Sequence, residues 1–170
     1  MYELDGKTAL VTGATRGIGE ASARALDAAG ARVILSGRTT SDLARVAGDL
    51  TNEPITLETD LSPAGAGTQH AEQVMEATGG EGVDIIVNNA GIPMRRTPEA
   101  LSEEDFDLVF SINVRSLLML TIGLAEPMKQ RGGGSIVNIS SVASLRGPLG
   151  SCRLRRHQRG SRCDDTRACY

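Results

Sequence analysis

Residues Thr12–Gly19, TGATRGIG, constrain the fold more than any other stretch of the chain. They follow an apolar run, Thr8–Val11, and open a helical pattern over Glu20–Ala29. A strand, a glycine-rich turn and a helix N-terminus in that order make an anion site. The first helical N–H groups have no intrahelical partner, and the helix dipole adds positive potential there. Gly13 permits the sharp exit from the strand, and Gly17 and Gly19 admit close approach of a phosphate and of the preceding strand. The expected guest is a dinucleotide pyrophosphate. The spacing G-x-x-x-G-x-G differs from the commoner G-x-G-x-x-G.

Downstream, apolar runs alternate with helical patterns. Strands are expected at Lys7–Val11, Arg32–Leu35, Ile55–Glu58, Val83–Val87 and Ser135–Ile139. Helices are expected at Ile18–Ala29, from a Ser41 cap to about Leu50, at Ala66–Thr78, and from Ser102 to Gln130. Ser102 and Asp105 resemble a capping box. Continuous apolar strands alternating with helices predict an α/β fold, a Rossmann-like doubly wound parallel sheet of about five strands. Aromatic residues make up only 2% of the chain, so Val, Ile, Leu and Ala must fill its core.

A net charge of −3 gives no general reason to expect nucleic acid or an anionic membrane as partner. No apolar run reaches the roughly 18 residues of a membrane span, and no basic-plus-apolar leader opens the chain. The expectation is a soluble cytoplasmic protein.

The composition breaks near residue 150. Residues 1–150 carry a net charge of −7, whereas residues 151–170 hold six Arg and two Asp, a net of +4. All three cysteines, Cys152, Cys163 and Cys169, lie in that tail. They form no recognised zinc spacing with His157, and no metal is expected. The domain reading is 1–150 for the dinucleotide-binding domain and 151–170 for an irregular tail.

Five features coincide in order: TGATRGIG at 12–19, Asp60-Leu61 after the third strand, NNAG at 88–91, Asn113 in the long helix, and SIVNISS at 135–141. Together they resemble the short-chain dehydrogenase/reductase family over residues 1–150. The resemblance implies that Gly13, Thr15, Arg16, Gly17, Ile18 and Gly19 line the pyrophosphate and ribose. It places Asp60 and Leu61 at the adenine, and Asn89, Ala90 and Gly91 beneath the ribose and nicotinamide side. Gly91 has the alternative of only shaping its turn. Asn88 is expected to hold neighbouring strands by bonding backbone, and Thr121 and Ser140 to be structural.

Cofactor preference follows from charge. A ribose 2′-OH is read by a carboxylate at the end of strand two, and a 2′-phosphate by cations. That end reads Leu35-Ser36-Gly37-Arg38, with Gly37 where the family's acid would stand. Arg16 and Arg38 are then expected to donate to the 2′-phosphate, which favours NADP(H) over NAD(H).

The implied reaction is reversible hydride transfer between nicotinamide and a small-molecule alcohol/carbonyl pair. It needs a proton donor and an oxyanion stabiliser. Ser141 matches the serine that orients the carbonyl, and Asn113 the asparagine that holds a water in the proton relay. Pro93, Met94, Arg95 and Arg96 are placed at the border of the site, with the alternative that, as loop residues after a turn, they are merely exposed. The family's tyrosine and lysine should fall at positions 154 and 158, but this chain has Leu154 and Gln158. A leucine donates no proton, and a neutral glutamine depresses no neighbouring pKa.

The tail carries a hidden pattern. Read one nucleotide out of frame, residues 152–169 can be decoded as AAYAATKGAVDAMTRALA. A tyrosine then stands at 154 and a lysine at 158. The expectation is a short-chain dehydrogenase sequence that changes frame near codon 151 and terminates early, with an incomplete C-terminal part. Little activity is expected, the apolar faces of strands four and five are expected to be uncovered, and the family's homo-oligomer is not expected to form. The alternative is a non-catalytic nucleotide-binding pseudoenzyme or regulatory fragment.

Overall fold

A computed structural model describes residues 3–94 and 96–141. Arg95, Leu154, Gln158, His157, the three cysteines and the rest of the tail lie outside the described residues. The chain divides into two compact units, Met1–Asn138 and Ile139–Tyr170.

Five parallel strands form one sheet: β1 (Thr8–Thr12), β2 (Arg32–Gly37), β3 (Ile55–Glu58), β4 (Ile85–Asn88) and β5 (Ser135–Asn138), in the order β3-β2-β1-β4-β5. The helices are α1 (Gly17–Ala28), α2 (Thr40–Ala47), α3 (Ala66–Ala77), α4 (Glu103–Phe110) and α5 (Leu117–Gln130). The expected doubly wound α/β fold is therefore present.

Strand alternation sorts the core into two layers. Leu10, Ile34 and Ile86 face Ala71 and Val74 of α3 and Leu120, Leu124 and Met128 of α5. Val11, Val33, Leu35 and Val87 face Ala23 of α1 and Leu43 and Val46 of α2. Both faces of the central strands are thus covered. β4 is covered, contrary to expectation, because it lies between β1 and β5 and joins both layers. β5 is open, with Ile136 and Val137 exposed.

The other differences are local. Helix α2 begins at Thr40 with Thr39 as its N-cap, so Ser41 is already helical, and it ends at Ala47 with Gly48 as its C-cap. The long helix is one continuous run, but Ser111–Ser116 is π-helical. A π segment adds residues to one turn while the α-helical stretches on either side keep their own apolar spacing, so periodicity within each stretch does not reveal it. The Ser102–Asp105 capping box is present.

By length and composition alone, the helix 103–130 would pass as a membrane span. Its Leu120, Leu124 and Met128 are instead buried against the sheet. Phe106, Phe110, Val114, Leu118 and Ile122 recur every four residues and are exposed.

At the N-terminal edge of the sheet, the buried carboxylate of Asp84 accepts from the Thr8 N–H at 2.9 Å, Arg131 Nη2 at 2.8 Å and Lys7 Nζ at 3.2 Å. Burial raises its pKa, but the bonds from Arg131, Thr8 and Lys7 outweigh burial and hold it below the ordinary value of 3.8. As pH falls, the unfolded chain takes up this proton first. The stabilisation is therefore complete above the unfolded value and is lost as pH drops through the folded one. Asp84→Asn is expected to lower unfolding stability at pH 7 by about 1–3 kcal/mol. It should also flatten the loss of stability below pH 3.8 in urea titrations across acid pH.

Candidate cofactor-binding site

The phosphate turn begins where β1 ends. The Thr12 hydroxyl is fully buried; it donates to the Val87 carbonyl at 3.3 Å and accepts from the N–H groups of Asn89 and Ala90, each at 3.0 Å. One hydroxyl offers one donor and two acceptor sites, and all three are used. Asn89 returns the strap: its Nδ2 donates to the carbonyls of Thr12 at 2.9 Å and Gly13 at 3.1 Å. The C-terminal ends of β1 and β4 are thereby tied together.

Gly13 and Gly17 take positive φ, +64° and +55°. A Cβ on Gly17 would meet nothing within 4 Å, so the turn is open on that side. A Cβ on Gly19 would overlap the Gly13 carbonyl oxygen and come within 2.5 Å of Asn89 Nδ2. Gly19 therefore serves close packing of helix against strand, and Gly17 serves turn conformation and access. Arg16 is the N-cap of α1 and makes no side-chain capping bond, which leaves the first-turn N–H groups to an incoming acceptor. Ile18 is 60% exposed at this rim.

Thr15 lies against the end of β2. A Cβ on Gly37 would come within 2.9 Å of the Thr15 methyl Cγ2 and 3.3 Å of Leu43 Cδ2. An acidic side chain at position 37 would require Thr15 to move. Arg16 and Arg38 are exposed, and neither makes an ion pair among the described residues.

Asp60 is exposed and accepts from the N–H and hydroxyl of Ser62, both at 2.9 Å. Leu61 is buried, and its carbonyl accepts from Ser116 Oγ at 2.7 Å, which joins it to the π segment. Asn88 bonds side chains rather than backbone: its Nδ2 donates to Thr121 Oγ1 at 3.0 Å and Asn138 Oδ1 at 2.9 Å. It still links β4 to β5, as expected, and adds α5.

Asn113 sits inside the π segment. Its Oδ1 accepts from Ile92 N–H at 2.8 Å and its Nδ2 donates to the Ile92 carbonyl at 2.9 Å. This double clamp holds the chain just after Gly91, whose added Cβ would stand 3.3 Å from Asn113 Oδ1. One lone pair and one N–H remain on the amide for a water. Beside the clamp, Ile92, Met94, Arg96, Asp105 and Leu108 line a shallow hollow. Arg96 is bound there by Asp105 at 3.1 Å. Ser141 is exposed and follows β5, in the second unit.

Thr12 and the Ile92 backbone are the site groups that sequence reasoning missed. A threonine closing an apolar strand was the available signal for the first, since a buried hydroxyl must find partners. Nothing in the local sequence marks the second.

The fold, a glycine turn at the strand-reversal point and an Asn-bearing long helix define a Rossmann-like α/β protein. The model of the short chain dehydrogenase family matches residues 7–152, and the chain belongs to that family. Nodulation protein G of Rhizobium sp. (strain N33) is 41% identical over 153 residues, covering 88% of this chain and 60% of that protein. A crystal structure of 3-oxoacyl (acyl-carrier-protein) reductase from Agrobacterium tumefaciens C58 with NADP bound superposes with a TM-score of 0.77. It is 38% identical over 84% of this chain and 55% of that one. L-sorbose reductase from Gluconobacter frateurii, complexed with NADPH and L-sorbose, gives a TM-score of 0.79 at 28% identity, covering 87% of this chain and 57% of that one. The chain spans 51–60% of the length of the curated relatives it matches.

The two glycines separate by cause. Gly19→Ala is expected to lower unfolding stability by about 1–3 kcal/mol through overlap with Gly13 and Asn89. Gly17→Ala is expected to cost about 1–2 kcal/mol from its left-handed backbone alone. Urea unfolding of Gly19→Ala with no loss would contradict the packing assigned to it.

Proposed function

We propose that this chain is the cofactor half of an NADP(H)-dependent short-chain oxidoreductase, binding the dinucleotide but turning over little or no substrate. The observation that carries the cofactor preference is the filled space at Gly37. A Cβ at position 37 would come within 2.9 Å of the Thr15 methyl and 3.3 Å of Leu43 Cδ2, so an acidic residue there would need both to give way, while Arg16 beside Thr15 and Arg38 beside Gly37 stand exposed. Cofactor-bound relatives of the fold include structures holding NADP and NADPH, which supports a nicotinamide dinucleotide.

In this reading, the backbone N–H groups at Gly17–Gly19 receive the pyrophosphate, and Arg16 and Arg38 the 2′-phosphate. Thr15 meets the ribose, and Asp60 and Leu61 border the adenine. Gly13, Asn89, Ala90 and Gly91 form the floor. When bound, the nicotinamide supplies or accepts the hydride. Ser141 orients the carbonyl, and Asn113 holds Ile92 in place while offering its remaining polar atoms to a relay water. A proton donor is still required at the substrate oxygen. Leu154 and Gln158 occupy the positions of the family's tyrosine and lysine, and neither supplies that proton.

We further propose that residues 152–169 are an out-of-frame segment and that 1–150 is the domain of cytoplasmic, small-molecule oxidoreductase type. The composition break and the hidden tyrosine and lysine support this reading. The exposed Phe106–Ile122 stripe and β5 favour association without the family's homo-oligomer. The nucleotide sequence tests the frame: codons 152–169 read one base on should give AAYAATKGAVDAMTRALA, and any other peptide overturns the idea.

The second reading, a pseudoenzyme or regulatory fragment, is favoured by the same Leu154. Purified chain titrated with NADPH and NADH by nicotinamide fluorescence should bind NADPH at least about tenfold more tightly, the difference of a charge-assisted phosphate contact. A panel of carbonyls should then give no NADPH oxidation above buffer. Turnover would overturn the expected inactivity, and equal affinities would overturn the cofactor preference.

A further inference from the structure

We infer that Arg45, on α2, is a positioning residue that sets the NADPH preference of the phosphate turn through the Thr15 carbonyl. The inference rests on the cofactor reading given above. Arg45 Nη2 donates to the Thr15 carbonyl at 2.7 Å and to Glu20 Oε2 at 2.9 Å, and Arg45 Nη1 donates to Glu20 Oε1 at 3.2 Å. One guanidinium thus grips the turn backbone and the first turn of α1 together. Only a planar fork of donors can hold both in a fixed relation.

The grip has a geometric consequence. In a trans peptide the carbonyl and the following N–H point in opposite directions. With the Thr15 carbonyl aimed at Arg45, the Arg16 N–H is aimed away from it. On its other side the Thr15 methyl stands 2.9 Å from the place a Cβ on Gly37 would take. Arg16 then leaves a clamped peptide with an extended backbone, φ −161° and ψ 163°. Arg45 therefore holds the peptide from which Arg16 departs, and itself need not touch a ligand.

A charge effect accompanies the geometric one. Glu20 places a carboxylate in the first turn of α1, where it opposes anion binding. Arg24 Nη2 donates to Glu20 Oε1 at 2.8 Å and to Asp49 Oδ2 at 2.6 Å. Bonds from Arg45 and then Arg24 lower the Glu20 pKa to about 2, so the carboxylate stays ionised and paired. Arg24 remains on Glu20 when Arg45 is removed. Loss of Arg45 therefore frees the Thr15 carbonyl more completely than it frees the Glu20 charge.

The test is a titration of the 170-residue chain and its variants with NADPH and with NADH, read by nicotinamide fluorescence, with circular dichroism reporting the fold. Arg45→Met should weaken NADPH about tenfold and NADH less than about threefold, because the lost contact is with the 2′-phosphate. Arg45→Met with Glu20→Gln should not recover the NADPH/NADH ratio, since the Thr15 carbonyl is still unheld. Arg45→Lys keeps the charge without the fork and should lower the ratio by about threefold, which serves if Arg45→Met does not fold. Equal weakening of both cofactors would make Arg45 merely structural and overturn the inference. Recovery of the ratio by Glu20→Gln would assign the effect to the Glu20 charge and overturn it as well. Wild-type chain that binds neither cofactor would instead overturn the cofactor reading, and the inference with it.

Discussion

The hydroxyl of Thr12 is the point on which the site depends. It joins the ends of β1 and β4 through Val87, Asn89 and Ala90. Those two strands flank the place where the strand order β3-β2-β1-β4-β5 reverses direction. From β1 the chain winds outward to β2 and β3, and from β4 it winds the other way to β5. In open α/β sheets the crevice at such a reversal, outside the strands' C-terminal ends, is where ligands bind. Without a tie, two parallel strand ends would be free to splay there. The Thr12–Asn89 strap closes the floor while the glycine turn keeps the upper side open.

The same economy of polar groups recurs outward from this point. Asn88 uses its amide to join β4, β5 and α5. Asn113 uses its own to hold Ile92, and Ser116 holds Leu61. Three stretches that border the crevice, Asp60–Leu61, Asn88–Ile92 and the π segment, are thus cross-linked by side chains rather than by extra strands. Loops set in this way can present backbone groups to a ligand without needing apolar contacts of their own.

Much of this was legible in the sequence, and the reason is physical. Burial on both faces forces β1, β2 and β4 to be apolar at consecutive positions, so Thr8–Val11 and Arg32–Leu35 announce themselves. The turn at Thr12–Gly19 was legible because positive φ and close backbone approach both demand glycine. The π segment was hidden, since its apolar residues keep a helical spacing on either side. The coverage of β4 was misjudged because layer membership depends on strand order, which no local pattern states. The grip of Arg45 on Thr15 spans thirty residues and two elements, and an exposed arginine on an amphipathic helix carries no mark of its partner. Leu154 and Gln158 were found the opposite way, as residues where the chemistry needs others.

In the proposed reading, binding and chemistry are separable in this chain. The groups assigned to the dinucleotide come from residues 13–91, within the described fold, while the proton donor the reaction needs falls at a position held by leucine. The most direct measurement is amide hydrogen exchange of the chain with and without NADPH. Slowed exchange at Gly17, Ile18 and Gly19, with no change at the Asp84 edge of the sheet, is the predicted result. Unchanged exchange at those three amides under saturating NADPH would contradict the account.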